Sequence, residues 1–178
     1  MFKNPFQVAV IFAVVSLAIK LLVFLLGIQH GAMEQYIFFI YMLILLIAVF
    51  FGIRTNKVMY EGNTTFGQDF RTGARTASFY AIIVTLITYV YYAKIDPDFF
   101  SIKQKPFIDG LYEAAKSRIN IDSKEVILKN LGNAIYSVRL QLSPYAQSMI
   151  TMFGLVFLGL FNSVVFSFLM KKYPGFKK

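Results

Sequence analysis

The feature that most constrains this chain is an uncharged apolar stretch near its C-terminal end. Ser143 and Pro144 form a helix start, because serine caps the first turn and proline needs no backbone N–H there. From Tyr145 to Met170 the sequence contains no charged residue, and Lys171 then follows. At about 1.5 Å per residue, a helix of this length crosses the ~30 Å hydrocarbon layer of a bilayer. The stretch therefore predicts a membrane-spanning helix.

Small and polar residues within this stretch predict helix packing. Gly159, Ser163 and Ser167 follow one another at a spacing of four, which places them on one helix face. Small residues in a membrane helix allow another helix to approach closely. Asn162, in the middle of the stretch, is expected to bond to a neighbouring helix, because an amide in lipid needs a partner. The second helix belongs either to this chain or to a partner.

Three further apolar runs precede this one, so the predicted spans are residues 6–28, 36–53, 76–93 and 145–170. With 57% hydrophobic residues and a mean hydropathy of +0.61, the chain is predicted to be one all-α integral membrane domain over residues 1–178. Lys20 lies within the first span. It either snorkels outward or faces other helices, or it is a paired charge at a polar binding site.

The distribution of positive charge predicts the orientation. The net charge of +9 is attributed to cytoplasmic loops and anionic lipid rather than to nucleic acid. An N-terminus inside the cell places these cations on the inner side: Lys3, Arg54, Lys57, Arg71, Arg75, Lys171, Lys172, Lys177 and Lys178. Of these, Arg71, Arg75, Lys171 and Lys172 are expected to contact lipid phosphates. Both ends are therefore predicted to be cytoplasmic.

Two connections between spans have helical patterns. In the inner one, Thr65 and Gln68 have the form of a capping box, with Asp69 also interpreted as a capping residue. A short surface helix is expected to follow and to turn near Gly73 into the third span. The outer segment, 94–142, is predicted to form two amphipathic helices, which lie either on the membrane or on a partner subunit. A possible partner face consists of Ile127, Leu131 and Ile135.

Two motifs resemble those of a known family. They are GIRTNKVMYEGNTTFGQDFRTGARTA, which contains Thr65-Phe66-Gly67 and Gly73, and YYAKIDPDFF, which contains Ile95-Asp96-Pro97-Asp98. The chain resembles domain-of-unknown-function family 4199, whose members are small four-span bacterial membrane proteins. The resemblance implies the topology and a bacterial inner-membrane location. It implies no catalytic residue.

No motif for a phosphate loop, a nucleophile elbow or a helical metal site is present. We therefore expect no catalytic residue, cofactor or metal. The nearest approach to a polar site is Asp96 with Asp98, together with His30 or Glu34. Paired carboxylates can bind a divalent metal beside a lipid phosphate, whereas Asp-Pro at a helix start is also common for capping alone.

Three function classes remain. The favoured one is a non-enzymatic membrane subunit or scaffold that associates with another membrane or envelope protein, or with a second copy. A small transporter or lipid carrier is the alternative, and an enzyme acting on a lipid headgroup is the third.

Overall fold

The computed structural model describes residues 4–29, 34–118 and 123–172. All regular elements in these ranges are helices. His30 of the predicted polar site and the basic tail from residue 173 onward lie outside them. The helices are α1 (Pro5–Leu25), α2 (Glu34–Met59), α3 (Phe66–Val90), α4 (Asp98–Ser117), α5 (Lys124–Gln141) and α6 (Pro144–Lys172). A π-helical turn, Tyr91–Ile95, follows α3 directly.

Four of the described helices, α1, α2, α3 and α6, are long and apolar enough to cross a membrane. The predicted fold class, an all-α membrane protein with four spans and two helices between the third and the fourth, is confirmed. The start of α6 is also as predicted, since the Ser143 hydroxyl accepts a hydrogen bond from the Ala146 N–H at 3.2 Å.

Two helices extend past the ends of their predicted spans at the α2–α3 connection. α2 continues to Met59, beyond the predicted span end at Ile53, and α3 begins at Phe66, so the prediction of a separate surface helix is wrong. No turn occurs at Gly73, which lies buried inside α3. The physical reason is tight packing, because a Cβ at Gly73 would lie 2.7 Å from the Ser163 Oγ and 2.9 Å from the Ile53 Cδ1. This glycine permits close approach of helices instead of breaking one.

The chain divides into two compact units. The first, residues 1–87 and 150–178, is the bundle. Its core consists of buried side chains from all four spans, including Ala13, Leu45, Ala77 and Leu155. The second unit, residues 88–149, contains α4 and α5, which pack against each other as a helical hairpin. We call these two helices the outer hairpin, after the side of the membrane on which they are predicted.

Candidate functional site

The α2–α3 connection is a tightly bonded turn. Gly62 N–H donates to the Lys57 carbonyl at 2.8 Å and Glu61 N–H to the Val58 carbonyl at 3.3 Å, which is the Schellman pattern of a helix end. Glu61 and Gly62 both have positive φ, at 50° and 82°. The turn thus reverses the chain within a few residues.

The predicted capping box starts α3. The Thr65 N–H donates to the Gln68 Oε1 at 2.9 Å, and the Gln68 N–H donates to the Thr65 Oγ1 at 3.3 Å. The two side chains therefore satisfy each other's backbone donors, as the box requires. This prediction from spacing is confirmed.

A buried ion pair joins the two helices just beyond this turn. The Lys57 Nζ lies 2.6 Å from the Asp69 Oδ2, and the two side chains are 2% and 1% exposed. The Lys57 Nζ also donates to the Thr64 Oγ1 at 2.9 Å. Within the described ranges, neither carboxylate oxygen of Asp69 accepts a hydrogen bond, so the carboxylate relies on its ion pair with Lys57. We call Lys57, Asp69 and Thr64 the inner clasp, after the side of the membrane on which they are predicted.

Sequence reasoning missed the inner clasp. The sequence pattern predicts Asp69 as a capping residue and Lys57 as a loop cation. A lysine shortly before a tight turn and an aspartate shortly after it are close enough to pair on antiparallel helices, but the sequence does not show which faces of the helices meet. The predicted second span also ends before Lys57. A buried ion pair is costly to desolvate and costly to break, so the clasp fixes how α2 and α3 meet.

The predicted lipid-phosphate cations do not share this burial. Arg71, Arg75, Lys171 and Lys172 are all exposed. They are therefore placed where contact with lipid headgroups remains open to them. Lys57, by contrast, is withdrawn from the surface by the inner clasp.

Polar groups also meet inside the bundle. The Ser16 Oγ and the Tyr80 hydroxyl lie 2.7 Å apart, both buried, and join α1 to α3. The Lys20 Nζ lies 5.7 Å from the centroid of the Tyr41 ring on α2. The ammonium group thus faces an aromatic side chain of the same bundle, a favourable cation–π contact. Lys20 is half-buried in this position.

The two predicted acidic residues, Asp96 and Asp98, lie in different environments. Asp96 is buried, and its Oδ2 accepts a hydrogen bond from the Tyr91 hydroxyl at 3.5 Å, whereas Asp98 is exposed. The expected cap at Asp96 is wrong, because Pro97 occupies the N-cap position of α4 and no side chain caps it. The π-helical turn explains the difference, since it brings Asp96 back toward Tyr91. Within the described residues, no cluster of metal-ligating side chains occurs.

The small residues of α6 lie against α3. Gly159 is buried, and a Cβ there would collide with the Ala77 Cβ. Ser163 and Ser167 are 0% exposed, and each hydroxyl donates to the carbonyl four residues earlier at 2.6 Å. Asn162, next to this stripe, is half-buried. The stripe therefore packs within the chain.

The outer hairpin contains the predicted partner face. Ile127, Leu131 and Ile135 are only half-buried, and α5 has no buried residue at all. At its open end the Gln104 Nε2 donates to the Leu142 carbonyl at 2.6 Å. On α4, Phe99 and Phe100 are buried, whereas the other apolar side chains of the two helices remain half-buried or exposed.

Four spans, a bonded turn between α2 and α3 and a helical hairpin define a multi-pass membrane protein. The sequence model of the family described as "Protein of unknown function (DUF4199)" matches residues 7–172, and the chain belongs to this family. No curated protein and no solved structure matches the chain.

Proposed function

We propose that this protein is a non-enzymatic subunit or scaffold of the bacterial inner membrane, which associates with another membrane or envelope protein through its outer hairpin. The observation that supports this is the absence of any buried side chain in α5, although its sequence has an apolar stripe. Hydrophobic stabilisation scales with the apolar area removed from water. A protein partner would complete the burial that the hairpin leaves unfinished.

Two observations support one end of the outer hairpin as the binding site of such a partner. The Gly159 stripe is covered by α3, so it offers no free close-packing face. On α5, Val126 and Leu128 are 47% and 58% exposed. They lie near the start of α5, at the end of the hairpin away from both connections to the spans. We propose that this end, the far end, contacts the partner.

Crosslinking in cells tests the association. A photoreactive side chain at position 128 should give a crosslinked species of defined mass, because the partner covers Leu128. The double variant Val126→Ser with Leu128→Ser needs a crosslinker at another position, and Tyr112 is also exposed. With the crosslinker at position 112, this double variant should lose the crosslinked species. The matched control is Lys129→Ser with Asn130→Ser on the same helix, which should leave it intact. Equal crosslinking in both double variants, or none in the parent, would contradict the proposal.

The orientation belongs to the same proposal, with both ends cytoplasmic and the outer hairpin outside. Because the chain has no cysteine, a single introduced one reports cleanly. Ser117→Cys, at the exposed end of α4, should react with an impermeant maleimide in intact cells, whereas Lys172→Cys should react only after lysis. The reverse pattern would place the hairpin in the cytoplasm.

A small transporter or lipid carrier is the second candidate. The observation that favours it is the set of polar groups inside the spans, namely the Ser16–Tyr80 hydrogen bond and the Lys20–Tyr41 contact. Polar groups in a bilayer often mark a pathway or binding site. Lys20→Leu distinguishes the carrier from the scaffold. If the variant lost function while its expression and its crosslinking were unchanged, the carrier would be favoured. Because Asp96 is buried and Asp98 is exposed, the pair gives no support to the enzyme alternative.

A further inference from the structure

At the end of the outer hairpin opposite to the far end, short connections join α4 and α5 to the spans. Only Asp96 and Pro97 separate the π-helical turn from α4, and only Leu142 and Ser143 separate α5 from α6. The Gln104–Leu142 hydrogen bond holds the first turns of α4 beside the end of α5. We call residues 94–105 and 136–145 the base of the hairpin. Because α3 and α6 are spans, the chain leaves the membrane before α4 and enters it again after α5, both times at this base.

The base exposes apolar and aromatic side chains. Ile102 and Leu140 are each 53% exposed, Tyr145 is 61% exposed and Tyr136 is 68% exposed. Tyrosines are enriched at the level of lipid headgroups, because the ring is apolar and the hydroxyl is polar. In water such a group of side chains would be unfavourable, whereas at the headgroup boundary it is stabilised.

The base is also positively charged at its surface. Lys105 and Arg139 are exposed, and so is Lys94 in the π-helical turn. Of the two acids in the base, Asp98 is exposed and Asp96 is buried against Tyr91. Cations next to exposed apolar residues are typical of surfaces that bind anionic membranes.

From these three observations we infer that the base of the outer hairpin docks on the headgroup layer of the protein's own membrane and selects anionic phospholipid. Lys105 and Arg139 bind lipid phosphates, while Ile102, Leu140 and the two tyrosines enter the glycerol and upper acyl region. This surface is distinct from the predicted lipid-phosphate cations, which are Arg71, Arg75, Lys171 and Lys172. It does not depend on the proposed partner, which would bind at the far end.

Tryptophan fluorescence tests the depth of the base. The chain contains no tryptophan, so each introduced one is the sole reporter. The full-length protein would be placed in vesicles of phosphatidylcholine and phosphatidylglycerol that contain brominated acyl chains. Leu140→Trp should be strongly quenched, approaching Phe157→Trp, a 73% exposed position within α6. If Leu140→Trp were quenched no more than Glu113→Trp, which lies in the polar part of α4, the inference would be overturned.

Charge removal tests the choice of lipid. Lys105→Gln with Arg139→Gln in the Leu140→Trp protein should remove the gain in quenching that phosphatidylglycerol produces over pure phosphatidylcholine. Each cation at an anionic surface is expected to shift the ratio of docked to undocked base about fivefold. The control, Lys124→Gln with Lys129→Gln, removes two exposed cations from the rest of α5 and should keep the gain. Equal quenching in neutral and anionic vesicles for every protein would overturn the selectivity for anionic lipid.

These measurements are independent of the partner. Purified protein in vesicles contains no other protein, so docking of the base can succeed while crosslinking at position 128 fails, or the reverse. Docking of the base and binding of the partner are therefore tested independently.

Discussion

The bundle and the outer hairpin treat the same kinds of side chain in opposite ways. In the bundle, Lys57, Asp69 and Thr76 are buried, while Phe157 is 73% exposed. In the outer hairpin no side chain of α5 is buried, and its apolar residues are half-buried or exposed. The difference reflects the two solvents. Lipid tails accept phenylalanine without penalty, so burial in the bundle depends on how side chains pack between helices rather than on hydrophobicity. Exposed leucine is unfavourable in water, which is why we propose a protein partner at Leu128 and lipid at Leu140.

The largest effect is expected from breaking the inner clasp. Asp69→Leu leaves the Lys57 ammonium buried without its counter-charge, and removal of one partner of a buried ion pair costs about 3–5 kcal/mol. The free energy of unfolding can be measured by titration with SDS in mixed micelles, followed by circular dichroism.

The double variant Lys57→Met with Asp69→Leu serves as the control. It removes both charges, so it should recover most of the stability lost in the single variant, since apolar replacements of buried pairs are often neutral. If the single variant were as stable as the parent, the ion pair would be hydrated. The charged groups of the bundle would then be in contact with water, like those of the hairpin.

The next effect concerns close packing in the bundle. In Gly159→Ala the new methyl group would collide with the Ala77 Cβ, and overpacking of a tight interface costs about 1–3 kcal/mol. The controls are Gly154→Ala on the same helix and Gly132→Ala in the outer hairpin. Neither would meet an atom within 4 Å, so both should be neutral or slightly stabilising. If all three substitutions behaved alike in the same SDS titration, α3 and α6 would not be in close contact.

A smaller effect of opposite sign is expected in the α2–α3 turn. Glu61 adopts φ 50°, a left-handed conformation that costs an L-residue other than glycine about 1 kcal/mol. Glu61→Gly should therefore raise the free energy of unfolding. Gly62→Ala, at φ 82°, should lower it. Unchanged stability in both variants would mean that this turn does not limit the stability of the bundle.

The smallest effect is expected from the hydrogen bond inside the bundle. Tyr80→Phe removes the hydroxyl that pairs with Ser16, and hydrogen bonds between membrane helices contribute about 0.6 kcal/mol on average. A double-mutant cycle with Ser16→Ala isolates the pair. A coupling energy indistinguishable from zero would show that the two hydroxyls find other acceptors.

Part of the candidate site could be predicted because it depends on neighbours along the chain. The capping box of Thr65 and Gln68 and the cap at Ser143 follow from residues three positions apart. The contact between Lys57 and Asp69 could not be read in the same way. It depends on where α2 ends and on which faces of α2 and α3 meet, and hydropathy does not report either. Asp96 was misjudged for a similar reason, since a π-helical turn rather than a capped start precedes α4.

The sequence by itself determined the number of spans, the two outer helices and the family, because long uncharged runs and caps are local properties that the bilayer enforces. Only the tertiary structure decided the use of each face. It placed the Gly159 stripe against Ala77 of the same chain, and it left α5 without a buried side chain. The physical reason is that small residues allow any helix to approach closely, whereas the arrangement of the four helices in the bundle decides which helix packs against them.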